Sequence, residues 1–233
     1  MVVAQQHSLR GQGRHDRGRA GPDARWRLDR GRPPLVGERQ WQSHHRHGEE
    51  LLQRIDDLLS DAGVARSALS GVVVGTGPGS FTGLRIGLAK AKTIAYSLDV
   101  PIVGVSSTLA LALASTDDGE VSVTLPAGAS DRYVHRVRVT GSQPAEAAAP
   151  ELVAGMDVSA GDVAVDIDSG PQGALTAGAK AVKGLAAALA KLGAHRLGAG
   201  QADDVAALVP AYVALPRGIA RATVEMAWSP DLR

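Results

Sequence analysis

The sequence contains no cysteine, which excludes a disulfide framework and any thiolate metal site and fits a reducing compartment. No apolar run approaches the ~20 residues that a membrane helix needs. The opening residues hold no apolar core followed by a small-residue cleavage site, so no secretory leader is readable. A cytoplasmic location without a membrane partner is the resulting expectation. Aromatic side chains make up only 3% of the chain. The basic N-terminal stretch has just Trp26 and Trp41 beside its arginines, and so offers little base stacking to a nucleic acid.

What is present falls into two unlike parts. The 233 residues suffice for one sizeable core or two small lobes. The net charge of +1 conceals an asymmetry: residues 1–48 carry ten Arg against Asp16, Asp23, Asp29 and Glu38, and the remainder has an acidic surplus. GQGRHDRGRAGPDARWRLDRGRPP (11–34) has almost no aliphatic side chains to offset its ordering entropy, so residues 1–40 are expected to be a disordered basic arm. Order begins near His47. GEELLQRIDDLLSDAG (48–63) places Leu51, Leu52, Ile55, Leu58 and Leu59 on one helical stripe, closed at Gly63. Burying those five side chains would contribute about 10 kcal/mol gross.

Residues 71–75 read as a buried strand. Ser80 or Thr82 caps a helix to about Leu98, 101–105 form a second strand, and Ser106–Ser107 cap a helix over 108–114. This spacing implies parallel strands joined by a crossover. Beyond Val121, VSVTLPAG and RYVHRVRVT alternate as antiparallel strands around a turn at 128–131, and another strand is expected near 163–167. AKAVKGLAAALAKLGA reads as a helix closed by Gly193. ADDVAALVPAYVALPRG reads as a short helix leading into an extended tail.

VVVGTGPGSFTGLRIG (72–87) poses the functional question. A Walker loop needs a lysine that the chain does not supply before Lys90, and the dinucleotide fingerprint needs glycine where Ser80 stands. A weaker role survives for Gly75, Gly77, Gly79 and Ser80, whose backbone N–H groups precede a helix and could hold an anion or nucleotide. The plain alternative is a structural turn. Gly83 and Gly87 lie inside the helix, each costing about 1 kcal/mol relative to alanine. Close backbone approach, with Ala91 and Ala95 extending the face, would compensate. The approaching element is either part of this chain or a partner's helix.

GPGSFTGLRIG (77–87), followed by LAKAK and PIVGVSSTLALA, resembles the TsaB family. HGEELLQRIDDLL before it is similar to that family's first helix, and VPAYVALPRG with the closing AWSPDLR to its C-terminal end. The resemblance covers about 41–233. It implies a two-lobed α/β fold of the actin, Hsp70 and sugar-kinase (ASKHA) type: a basic segment 1–40, a first lobe 41–115 and a second lobe with tail 116–233. It implies a non-catalytic scaffold that pairs with TsaD in threonylcarbamoylation of the tRNA adenosine beside the anticodon. TsaE joins that complex, tRNA is met indirectly, and a homodimer is left open. The pairing helices match 48–62 and 80–97, which gives Leu51, Leu52, Ile55, Leu59, Gly83, Arg85, Gly87 and Ala91 as interface residues. No metal or cofactor of the chain's own is implied, and ATP or ADP at the subunit boundary is left open.

The family opens with a strand reading like Leu-Ala-Ile-Asp-Thr and a hairpin, whereas no strand pair can be built from residues 8–33. The first lobe is therefore expected to be incomplete, with 1–40 either an out-of-frame product or an Arg/Gly arm that meets tRNA phosphates. His44, His45, His47 and Glu49 suggest a metal set, but adjacent histidines cannot easily face one ion, and a solvated helix start is preferred. Ser80 or Ser106 with His135 and Asp131 would form a triad only on paper, because no nucleophile elbow is present. Arg85 either pairs with an acid across the interface, such as Asp56 on the 48–62 helix, or is solvated. The rival function is a phosphotransferase or ATPase of the sugar-kinase type using the Gly75–Gly79 turn.

Overall fold

Three consecutive valines, Val72, Val73 and Val74, sit within strand β2 (Leu69–Gly77) and are all buried. A continuous apolar run of this kind is what a strand covered on both faces requires. The computed structural model describes residues 2–5, 36–41, 47–128, 131–141, 143–155 and 157–212. The Arg/Gly-rich run, His44 and His45, and the closing AWSPDLR lie outside these residues.

β2 is the middle strand of a three-stranded sheet. On one side β3 (Ile102–Ser106) runs parallel to it, with Val72 opposite Ile102. On the other, β1 (Val2–Gln5) runs antiparallel, with Val2 opposite Val73. β1 corrects the expectation that 1–40 holds no ordered element, while the stretch 8–33, from which no strand pair was expected, lies outside the described residues. Four residues with two adjacent valines are too few to show a period, yet they suffice to satisfy the free edge of β2.

Helix α2 (Phe81–Leu98) makes the crossover between β2 and β3. Ser80 caps it, its Oγ accepting the Gly83 N–H at 3.4 Å, and the helix ends at Asp99, whose φ of 51° is left-handed. Val72, Val74 and Ile102 pack against Leu88, Ala91 and Ala95 of α2. Val73, Val103 and Val105 point the other way, into a larger core shared with α3 (Ser107–Ser115).

The second sheet is built around the antiparallel pair β4 (Gly119–Pro126) and β5 (Asp131–Thr140), with Val123 opposite His135. β6 (Gln143–Glu146) and β7 (Glu151–Ala154) both pair with β5. β8 (Val163–Ala164) lies parallel to β4. The strand expected over 163–167 stops early, because Asp166 adopts a φ of 55°.

α4 (Gln172–Gly198) runs 27 residues and does not close at Gly193. That glycine is a site of close approach: a Cβ there would overlap the methyls of Val73, and one at Gly178 would overlap the Ala164 carbonyl. α4 thereby touches β2 at one end and β8 at the other, and its buried Ala181, Ala188 and Leu189 join residues of both sheets in one core. The chain then returns to the first sheet, where the Asp203 N–H donates to the Ile102 carbonyl at 2.9 Å and the Ala211 N–H to that of Thr76 at 2.8 Å. The helix expected in ADDVAALVP is only a turn, held by Asp204 Oδ1 accepting the N–H groups of Ala206 and Ala207. Those N–H groups, working against partial desolvation and helped by Lys92, hold the Asp204 carboxyl below its ordinary value. Among the described residues no helix is long and apolar enough to cross a membrane.

Candidate partner interface

Helix α1 (His47–Asp61) packs mainly on α2. Its apolar stripe is not closed off by the described residues: Leu51, Ile55, Leu58 and Leu59 are half-buried, and Leu52 is 39% exposed. The gain expected from burying all five is therefore only partly realised within the described chain. Residues 36–41, expected to be disordered up to 40, lie along the flank of α1 instead. Arg39 binds Asp57 at 3.1 Å and also pairs with Asp61, Trp41 lies 5.9 Å from the Arg54 guanidinium, and Gln40 donates to the Val182 carbonyl of α4 at 3.3 Å.

On α2 the glycines separate from the alanines. A step of four residues turns an α-helix about 40° beyond a full circle, so Gly83, Gly87, Ala91 and Ala95 drift around the helix and do not share one face. Ala91 is 0% and Ala95 1% exposed, both inside the core. Ala91 is therefore corrected from an interface residue to a core residue. Gly83 is exposed and Gly87 half-buried. A Cβ on Gly87 would meet nothing within 4 Å, and one on Gly83 only Ser80 of its own cap at 3.5 Å. The flank that these glycines open is unfilled by the described chain.

Within the chain, Asp56 takes two hydrogen bonds from Arg66 at 2.9 and 2.6 Å and none from Arg85. The Arg85 guanidinium lies 5.2 Å from the Phe81 ring centroid, and that ring stands 5.0 Å from Tyr212. Phe81 is 39% exposed and Tyr212 43%. This aromatic pair at the start of α2 is the surface feature missed in the sequence. Its signal was the scarcity of aromatics combined with Phe81 inside the GPGSFTGLRIG run.

The glycine turn is packed by the chain itself. A Cβ on Gly75 would come within 3.1 Å of Ser107 Oγ, and one on Gly77 within 2.8 Å of Leu84 and 3.1 Å of the Ala211 carbonyl. Gly77, at a φ of 104°, donates its N–H to Ser107 Oγ at 3.2 Å. Gly79 and Ser80 are exposed, with the Ser80 hydroxyl engaged as the helix cap. Close packing of two surfaces accounts for Gly75 and Gly77.

The triad residues are not brought together as such. Ser106 Oγ lies 2.9 Å from Thr108 Oγ1, and it is Thr108 that reaches His135 Nδ1, at 2.7 Å. Thr108 is 0% and His135 1% exposed, while Ser106 is half-buried. Burial lowers the His135 pKa below its ordinary value, with the Glu146 charge opposing; burial and then Glu146 push the Tyr133 hydroxyl up to about 12. Among the described residues no three His, Asp or Glu side chains gather as a metal set.

A second polar cluster ties the C-terminal return to the sheet. Asp203 accepts the Gly104 N–H at 2.7 Å and a hydrogen bond from Arg196 at 2.8 Å, and Arg196 also donates to the Gly104 carbonyl at 2.7 Å. Desolvation alone would push the Asp203 carboxyl up, but the Arg196 hydrogen bond, the Gly104 N–H and the Arg196 charge together hold it below its ordinary value.

With this geometry in place, known proteins supply a context. The model of the family described as TsaD, tRNA N6-adenosine threonylcarbamoyltransferase, matches residues 41–161, just over half of the chain. The tRNA threonylcarbamoyladenosine biosynthesis protein TsaB of Bacillus subtilis is 48% identical over 66 residues, covering 28% of this chain and 29% of that protein. TsaB of Escherichia coli is 35% identical over 66 residues, with the same coverage of 28% and 29%. The chain thus matches less than a third of the length of these curated relatives. The solved structure of YeaZ from Pseudomonas aeruginosa superposes with a TM-score of 0.57 at 22% identity, over 72% of this chain and 85% of that one. This likeness shows the expected ASKHA-type α/β fold. Over its matched segment the chain is similar to curated TsaB proteins, and it belongs to the family whose model is described as TsaD, tRNA N6-adenosine threonylcarbamoyltransferase.

Proposed function

We propose that this chain is an accessory subunit in tRNA threonylcarbamoyladenosine biosynthesis. In this reading it has no catalytic role and docks on TsaD through α1 and the glycine flank of α2. The observation that carries the reading is Gly87. A glycine in mid-helix costs about 1 kcal/mol relative to alanine, and nothing in the described chain occupies the space that a Cβ would take there. α1, whose apolar stripe is half open, packs on the same helix, and a facing pair of helices would bury both features together. The pathway comes from the TsaB relatives, whose names state it. TsaE, a homodimer and a nucleotide at the subunit boundary belong to the same reading as further members of the assembly.

The test mixes the full chain with TsaD and measures complex mass, then repeats the measurement with Gly87→Leu. Complex formation by the wild type and its loss in the variant, with helix content unchanged, is the expected result. A wild-type chain that forms no complex, or a variant that pairs normally, would remove this surface from the function.

A further inference from the structure

His135 projects from β5 into the core, on the same face of the strand as Tyr133 and Val137. Its Nδ1 lies 2.7 Å from Thr108 Oγ1 in the first turn of α3, and Thr108 Oγ1 lies 2.9 Å from Ser106 Oγ at the end of β3. Its Nε2 is buried without a hydrogen-bond partner among the described residues. The nearest charge to Nε2 is Glu146 Oε1 on β6, 3.9 Å away. Glu146 pairs in register with Val137, which puts it on the face of the sheet that carries His135.

This arrangement fixes a direction. A neutral imidazole has one N–H donor and one lone-pair acceptor. With the proton on Nδ1, the Nε2 lone pair would face a carboxylate across a desolvated gap, which is repulsive. With the proton on Nε2, its N–H points toward that carboxylate, and Nδ1 accepts the Thr108 O–H. Thr108 Oγ1 is then free to accept the Ser106 O–H. We propose that Ser106, Thr108, His135 and Glu146 form a one-way hydrogen-bonded latch that holds α3 to the β5–β6 edge while the imidazole is neutral and protonated on Nε2, and that uptake of a solvent proton at Nδ1 reverses its donor order.

The second proton has only Nδ1 to bind, and there it removes the acceptor for the Thr108 hydroxyl. To keep any bond, Thr108 must turn to accept from Nδ1–H, and the order of donors reverses back to Ser106. The new cation would have little to compensate it. α3 carries no charged side chain. On β4, Glu120 is taken by Arg138 at 2.8 Å. Glu151 of β7 pairs with Val134, and Arg132, Arg136 and Arg138 alternate with His135 along β5, so all four belong to the opposite face. Asp131 shares the His135 face but stands four residues away at the start of the strand. Glu146, 58% exposed at its side chain, is the compensating charge, and the site is a proton-sensitive joint between α3 and the second sheet.

The test uses the full chain with 15N-labelled histidine, the His135 ring being assigned through its links to Val134 and Arg136. A long-range 15N–1H spectrum at about pH 7.5 should show the Nε2–H tautomer, and titration toward about pH 5 should place protonation of this ring below that of an ordinary histidine. Glu146→Gln should move the titration lower still, because it removes the charge that favours the cation. An Nδ1–H tautomer, a tautomeric mixture, or a titration unmoved by Glu146→Gln would overturn the latch.

Discussion

Gly87 allows stability and pairing to be tested in opposite directions with one substitution. Among the described residues, a Cβ at this position meets no atom within 4 Å beyond its own helix backbone. Gly87→Ala should therefore add helix propensity without steric cost, about 0.8–1 kcal/mol in favour of the folded state. For a chain of this length, that corresponds to a rise of about 2–4 °C in Tm. Against a partner helix the sign reverses. If the glycine exists to admit a facing backbone, one methyl forces the helices apart. Leucine does so more severely, at an overpacking cost of about 1–3 kcal/mol, which is about 5- to 150-fold in Kd. Thermal unfolding of the free variants and calorimetric titration against TsaD read the two effects separately. A Gly87→Ala variant that is less stable than wild type would refute the claim that the flank is open. A Gly87→Leu variant that binds TsaD as tightly as wild type would refute the claim that the flank is for pairing.

Three further substitutions test the same structure. Gly193→Ala should lower stability by about 1–3 kcal/mol in chemical denaturation, because its methyl would enter space held by Val73; a neutral variant would mean that α4 shifts freely on β2. Asp203→Ala should cost about 1–3 kcal/mol by leaving the Gly104 N–H and Arg196 without their acceptor, and a change below about 0.5 kcal/mol would discount the clamp. Since the Asp203 pKa is lowered in the folded chain, its contribution is full above the ordinary carboxylate value near 4 and fades as pH falls through the lowered value. The acid-side loss of stability should accordingly be shallower in Asp203→Ala than in wild type, and parallel acid unfolding curves would count against the assignment. Phe81→Ala should weaken TsaD binding if the Phe81–Tyr212 pair extends the interface, and unchanged affinity would confine the contact to α1 and the glycine flank.

The local elements were legible because their signals are local. Ser80 as a cap, Leu98 as a helix end, the β2–α2–β3–α3 order and the β4–β5 pair each follow from a few adjacent residues. The failures involve partners distant in sequence or phases that drift. Gly193 looks like a helix stop until Val73, far back in the chain, is seen lying against it. Ala91 looks like a continuation of Gly83 and Gly87 until the helical offset of four-residue steps is followed into the core. β1 is too short to announce itself, and Arg196, Asp203 and Gly104 have no local pattern that joins them.

Glycines in a helix look alike in a sequence, and what a Cβ would meet separates them into two physical kinds. At Gly178 and Gly193 the neighbour is already present, a carbonyl of Ala164 or the methyls of Val73, so the unfavourable helix propensity is offset inside the chain by the contact of α4 with both sheets. At Gly87 the same propensity cost is incurred and the described chain offers no contact to offset it. α2 is otherwise well anchored, with a capped start, a left-handed stop and Leu88, Ala91 and Ala95 in the core, so the helix tolerates the glycine without needing it for its own fold. Under the proposed pairing, the open side of Gly87 is where a partner's helix would lie. That asymmetry between the two kinds of glycine is the physical ground for the proposal that places a partner interface on α2.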